Sequence, residues 1–137
     1  MSDFVAQAKA ILRVNDRGTF TIPTAGLYPF QWNWDSGFAA LGFAHFDVDR
    51  ALTELETLME HQWPDGMVPH IIFHEPDDGY FPNAEVWDTQ RPVPTSGITQ
   101  PPVAGFVLAD IMARQPADSP YIERARKLAK QIHRWHQ

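Results

Sequence analysis

Tyr28-Pro29-Phe30-Gln31-Trp32-Asn33-Trp34-Asp35-Ser36-Gly37-Phe38 runs without a break into Ala39-Ala40-Leu41-Gly42-Phe43-Ala44-His45-Phe46. The second half has almost no polar face, and a helix that is apolar all round is buried all round. The first half crowds aromatic rings, two amides and a carboxylate into the turn that leads into that helix. Asp35 or Ser36 can cap it, because a short side-chain oxygen accepts a bond from a free amide of the first turn. Flat aromatic faces beside hydrogen-bonding groups suit a ligand that is apolar on its ring faces and polar at its edges, such as a sugar. The same residues serve equally to plug the space above a helix end, with Asp35 only a cap.

Outward from this stretch, the chain alternates. Asp47 starts a helix whose Val48, Ala51, Leu52, Leu55, Leu58 and Met59 form one stripe, with Arg50, Glu54, Glu56 and Thr57 among the polar residues opposite. That pattern predicts a surface layer. Upstream, Phe4, Val5, Ala8, Ile11 and Leu12 recur at helical spacing behind a Ser2 or Asp3 cap, and Thr19 to Pro23 is extended. Downstream, prolines and glycines from Trp63 to Gln100 exclude helix, apart from a short strand within Val68–Phe73. Irregular segments this long in compact domains are uncommon and tend to be functional. Pro101-Pro102 then opens a mostly buried helix through Met112. Ser119-Pro120 starts a last one, striped by Tyr121, Ile122, Ala125, Leu128, Ala129, Ile132 and Trp135, with basic residues from Arg124 to Arg134 as its wet side.

The order is outer, inner, outer, inner, outer. Short connections make successive helices antiparallel, so the two buried helices point alike. Their N-termini, at Trp34-Asp35 and Thr99-Gln100, then share one rim, and the long irregular segment covers the same face. Free amides at helix starts favour polar ligand groups there. Two all-apolar helices also need neighbours on every side, more than three outer helices supply. The expectation is an all-α chain that is part of a larger barrel, completed by further sequence or by a second copy.

Composition bounds the rest. The chain has 137 residues, 44% hydrophobic, with a net charge of -6 and no cysteine. One domain over residues 1–137 fits this length. The acidic balance excludes a nucleic-acid footprint. The absence of cysteine excludes disulfides and thiolate metal sites. No apolar run reaches bilayer length and the start is not a secretory signal, so a cytoplasmic location without membrane contact is expected.

Tyr28–Phe38, and again Pro94-Thr95-Ser96-Gly97-Ile98-Thr99-Gln100-Pro101-Pro102, resemble the bacterial mannosylglycerate and glucosylglycerate hydrolases, close to the glycoside hydrolase family of processing α-glucosidases. The resemblance runs from about Gly26 to Gln115. It implies a partial (α/α)6 toroid of alternating inner and outer helices, comprising roughly its first five helices. It also implies inverting acid/base hydrolysis of a small glycoside such as glucosylglycerate or mannosylglycerate, without a cofactor. Tyr28, Trp34 and Gln100 match positions that contact glycerate in the family, and Trp32 and Asp35 match positions lining the sugar pocket. Core packing for Trp32 and helix capping for Asp35 and Gln100 remain open alternatives. Both catalytic carboxylates of the family come from later inner-helix loops, so neither is expected before residue 137, and the chain alone is expected to be inactive.

Rival readings exist. Glu75, Asp77, Asp78, Glu85 and Asp88 lie in the long segment, but loop acids are usually solvated. His70 and His74 with Glu75 and Asp77 suggest a metal, yet no recognised zinc spacing completes the set. His45 reads as a core histidine, and His61, His133 and His136 as helix-end residues without a specific role. The alternative of another class is a non-catalytic helical carbohydrate-binding or protein-interaction module.

Overall fold

The structure, a computed structural model, describes residues 2–135; the Ser2 side chain and His136 lie outside what is described. It contains α1 (Ser2–Asn15), β1 (Gln31–Trp32), α2 (Asn33–Phe43), α3 (Val48–Glu60), β2 (Ile71–Ile72), α4 (Ala84–Trp87), α5 (Val103–Ala113) and α6 (Ile122–Arg134). The two hairpins α2–α3 and α5–α6 stand side by side. α2 packs on both α3 and α5, and α6 on both α5 and α3. Apolar residues from all four helices, among them Phe43, Leu52, Leu55, Leu58, Val107, Ile111 and Leu128, form one core.

The inner pair runs in the same direction. Trp34 bonds to Gln100 at their starts, Gly37 meets Val103 and Ala104, the Phe38 and Phe106 rings lie 6.4 Å apart, and His45 meets Arg114 at their ends. Both rings are half exposed, so the inner helices are covered on one side only. This qualifies the expectation of all-round burial. The apolar residues of those helices exceed what the described neighbours can cover.

α1 departs from expectation in the same way. Of its apolar stripe only Leu12 packs on the core, while Phe4, Val5 and Ile11 stay exposed. The outer helix α3 departs in the opposite sense. Its polar side is not solvated: Arg50, Glu54 and Thr57 are buried. The segment 17–23 lies across it, as the bonds from Thr21 to Glu54 show. Asp47 caps α3 by accepting from the Arg50 amide at 3.0 Å. On α6, Arg124 is not part of a wet face either. It forks onto both carboxylate oxygens of Glu56 at 2.8 and 2.7 Å and ties the outer helices together.

The segment from Trp63 to Gln100 is ordered by pairing and aromatic packing. β2 pairs antiparallel with β1, setting Gln31 opposite Ile72 and Trp32 opposite Ile71. Thr95 bridges to Ile72 on the other side. Against the expectation of no helix here, Ala84–Trp87 forms a single turn, capped by Asn83 accepting from Val86. Above the sheet, Phe30, Trp32, Ile71 and Phe73 make a second small core joined by Tyr80 and Trp87.

Candidate functional site at the rim of the inner helices

The stretch from Tyr28 to Phe38 puts its hydrogen-bonding groups at the rim for a structural reason. β1 is extended up to Trp32, whose backbone occupies the N-cap position of α2. Neither Asp35 nor Ser36 caps this helix, because both already lie within its first turn. The cap comes from elsewhere: Gln100 Oε1 accepts from the Trp34 amide at 3.1 Å. Gln100 therefore satisfies a free amide of α2 rather than capping the helix it precedes, where Pro102 holds the N-cap position. This one bond joins two motifs 66 residues apart.

Around that bond is an open pocket of about 470 Å³ lined by Pro23, Thr24, Tyr28, Trp32, Trp34, Asp35 and Gln100. All five residues singled out from sequence are brought together here. Pro23 and Thr24 were missed; nothing in an extended, proline-terminated segment signals a pocket wall. Trp32 is nearly buried, with Phe30 and Tyr80 at 5.9 and 5.4 Å between ring centroids. The Tyr28 ring stands edge-on to Trp32 at 5.4 Å. Trp34 is 42% exposed and presents a free face to the pocket. Burial pushes the Asp35 carboxyl above its ordinary value, countered in part by its own amide. The arrangement offers two aromatic surfaces, a carboxylate and a phenol to one small polar ligand.

Behind the pocket lies a polar network. Glu54, fully buried, accepts from the Thr21 amide at 3.2 Å, the Thr21 hydroxyl at 2.7 Å, Gln31 Nε2 at 3.2 Å and Arg50 Nη2 at 2.9 Å. Arg50 also reaches Asp16 at 2.8 Å. Gln31 Oε1 lies 2.7 Å from His74 Nε2, which must therefore donate. The other face of His74 stacks on Phe20 at 4.0 Å, and His61 meets it edge-on at 5.0 Å. His61 is thus part of a packed pair, not an idle helix end, and His45 is exposed beside Arg114 rather than in the core.

Burial, and secondarily the nearby His61, lowers His74 from 6.5 to about 4. A histidine that is neutral when folded and charges more readily when unfolded destabilises the fold in acid. Stability from this group is intact above pH 6.5 and is lost progressively as pH falls to about 4. Discounted for partial exposure, the loss is on the order of 2 kcal/mol. Glu54 works in the opposite direction, since burial raises its carboxyl. Urea melts of wild type and His74→Gln between pH 7 and 5 should show the acid-side slope in the wild type only.

The loop acids do not converge on the pocket: among the described residues Asp35 is the single carboxylate lining it. Among the described residues no group of three His, Cys, Asp or Glu is arranged to hold a metal ion. His70 faces Trp87, with ring centroids 6.0 Å apart, and His74 is engaged with Gln31. No helix among the described residues is long and apolar enough to cross a membrane.

Paired hairpins with a rim pocket between inner-helix starts fit an arc of a helical toroid. Residues 28–137 match the mannosylglycerate hydrolase MGH1-like glycoside hydrolase domain, and the chain belongs to that family. It is 46% identical over 129 residues to mannosylglycerate hydrolase MGH1 of Selaginella moellendorffii, covering 93% of this chain and 26% of that protein. It is 44% identical over 118 residues to glucosylglycerate hydrolase of Mycolicibacterium hassiacum, covering 81% of this chain and 26% of that protein. The crystal structure of GH63 mannosylglycerate hydrolase from Thermus thermophilus in complex with Tris and D-glycerate superposes with a TM-score of 0.88 at 47% identity. That match covers 96% of this chain and 31% of the other. The chain thus spans about a quarter to a third of the length of these relatives.

Proposed function

We propose that these residues form the substrate-binding wall of an α-glycoside hydrolase that cleaves a small glycoside of glycerate. The carrying observation is the junction of Trp34 with Gln100 inside a pocket that also holds Tyr28, Trp32 and Asp35. In this reading Tyr28, Trp34 and Gln100 address the glycerate end, and Trp32 and Asp35 the sugar. The family membership and the D-glycerate bound in the Thermus relative support the choice of ligand.

Hydrolysis with inversion needs an acid for the leaving oxygen and a base for water, about 6.5–9.5 Å apart. One pocket carboxylate cannot fill both roles. We place both catalytic groups on inner helices other than α2 and α5, in a longer polypeptide of the same toroid. Those helices, or a second copy of the chain, would cover the exposed flank marked by Phe38 and Phe106. The same flank is the one feature that favours a plain protein-interaction module.

Calorimetric titration separates the readings. D-Glycerate should bind with a Kd on the order of 1 mM, and glucosylglycerate or mannosylglycerate should bind more tightly than glycerate. The chain alone should release no sugar from either. Absence of binding at about 50 mM D-glycerate, well above that Kd, would sink the glycoside reading in favour of the interaction module.

A further inference from the structure

We infer that Glu54, which does not reach the pocket, is the positioning residue that holds its walls together. This rests on the proposed ligand site and extends it to a residue outside the lining. Glu54 bonds to Thr21 and Gln31. Thr21 is two residues before Pro23, and Gln31 adjoins Trp32. Those two lining residues belong to different chain segments, and the two-residue sheet and the bridge between Thr24 and Tyr28 are the short backbone pairings near them. One carboxylate on α3 therefore fixes the spacing between the wall of Pro23 and Thr24 and the Trp32 floor.

The hydrogen-bond donors around Glu54 favour its carboxylate form. Arg50 Nη2 can only donate, so Thr21 Oγ1 accepts from it at 3.1 Å and is placed to donate its own hydrogen to Glu54 Oε2 at 2.7 Å. Gln31 Oε1 is occupied by His74, so the Gln31 amide nitrogen faces Glu54 as a donor. Four donors converge on Glu54, the Thr21 amide and hydroxyl, Gln31 Nε2 and Arg50 Nη2, and the buried Ser36 hydroxyl lies beside it as well. The network is matched to a carboxylate, which can accept from all four donors at once. Glu54→Gln would set an NH2 against one of these donors, leave it unsatisfied, and push the Thr21 and Gln31 segments apart.

The test uses the full chain with 15N-labelled tryptophan. Glu54→Gln should move the indole N–H resonances of Trp32 and Trp34, leave those of Trp63 and Trp135 in place, and weaken D-glycerate binding at least tenfold. Glu56→Gln, on the same helix but bonded to Arg124, is the control. It should lower thermal stability without moving the Trp32 or Trp34 signals or the affinity. Thr21→Val removes the hydroxyl that donates to Glu54 and accepts from Arg50 but keeps the amide bond, and it should shift the same two resonances by less, which decides the matter if Glu54→Gln does not fold. Resonances of Trp32 and Trp34 unmoved in the folded variants, with stability alone reduced, would overturn the inference. If wild type binds no D-glycerate, the glycoside reading fails, while the resonances still decide the role of Glu54.

Discussion

Trp32→Ala should destabilise the fold by about 3–5 kcal/mol, whereas Trp34→Ala should cost less than about 1 kcal/mol. The two tryptophans stand two residues apart in one motif, so sequence treats them alike. Their surroundings do not. Trp32 is 6% exposed and packs among Tyr28, Phe30, Ile71 and Tyr80, the small core that orders the long segment after Trp63. Removing a buried indole leaves a cavity that β1 and β2, two residues each, are too short to collapse around. Trp34 lies 42% exposed and joins the opposite motif through its backbone amide. Alanine keeps that bond and strips the pocket of an aromatic face. Urea melts should separate the variants by stability, and titration with D-glycerate should find binding lost in both. Equal loss of stability would show that Trp34 is packed and not presented.

Gly37→Leu should have an effect of similar size through the inner helices. A Cβ at Gly37 would stand 3.0 Å from Val103 Cγ1 and 3.3 Å from Val103 Cβ. Val103 is itself buried in the main core. Alanine gains helix propensity of about 1 kcal/mol and loses a comparable amount to crowding, so Gly37→Ala should be nearly neutral. Leucine brings three more carbons into the same gap and should cost about 3 kcal/mol. The separation falls at the N-terminal ends of α2 and α5, within one turn of the bond between Trp34 and Gln100. D-Glycerate affinity should therefore fall with stability for Gly37→Leu and hold for Gly37→Ala. Thermal melts paired with titration check both.

Much of this geometry was legible from residues alone. Two apolar helices separated by an amphipathic one must point alike, and that argument brought Trp34 and Gln100 to one rim, where they hydrogen-bond. The burial of Arg50 and Glu54 was not legible. Charged residues opposite an apolar stripe read as a wet face unless something covers them. What covers them is an irregular segment whose only mark is Thr21, 33 residues before Glu54. The one-turn α4 did carry a signal, since Asn83 before Ala84-Glu85-Val86-Trp87 is a capping pattern, but the surrounding prolines outweighed it. The two-residue strands are below the length at which alternation can be read. The exposure of α1 was illegible for a different reason: of its apolar stripe only Leu12 meets the core among the described residues.

Phe38 and Phe106 carry a warning for anyone engineering this chain. They lie on the open flank and contribute little to its own folding, so a library screened for solubility would replace them first, with lysine or glutamate. Every such improvement would place charge where the assembled toroid, in our reading, needs grease. Selecting the piece for good behaviour in isolation would thus select against its joining anything.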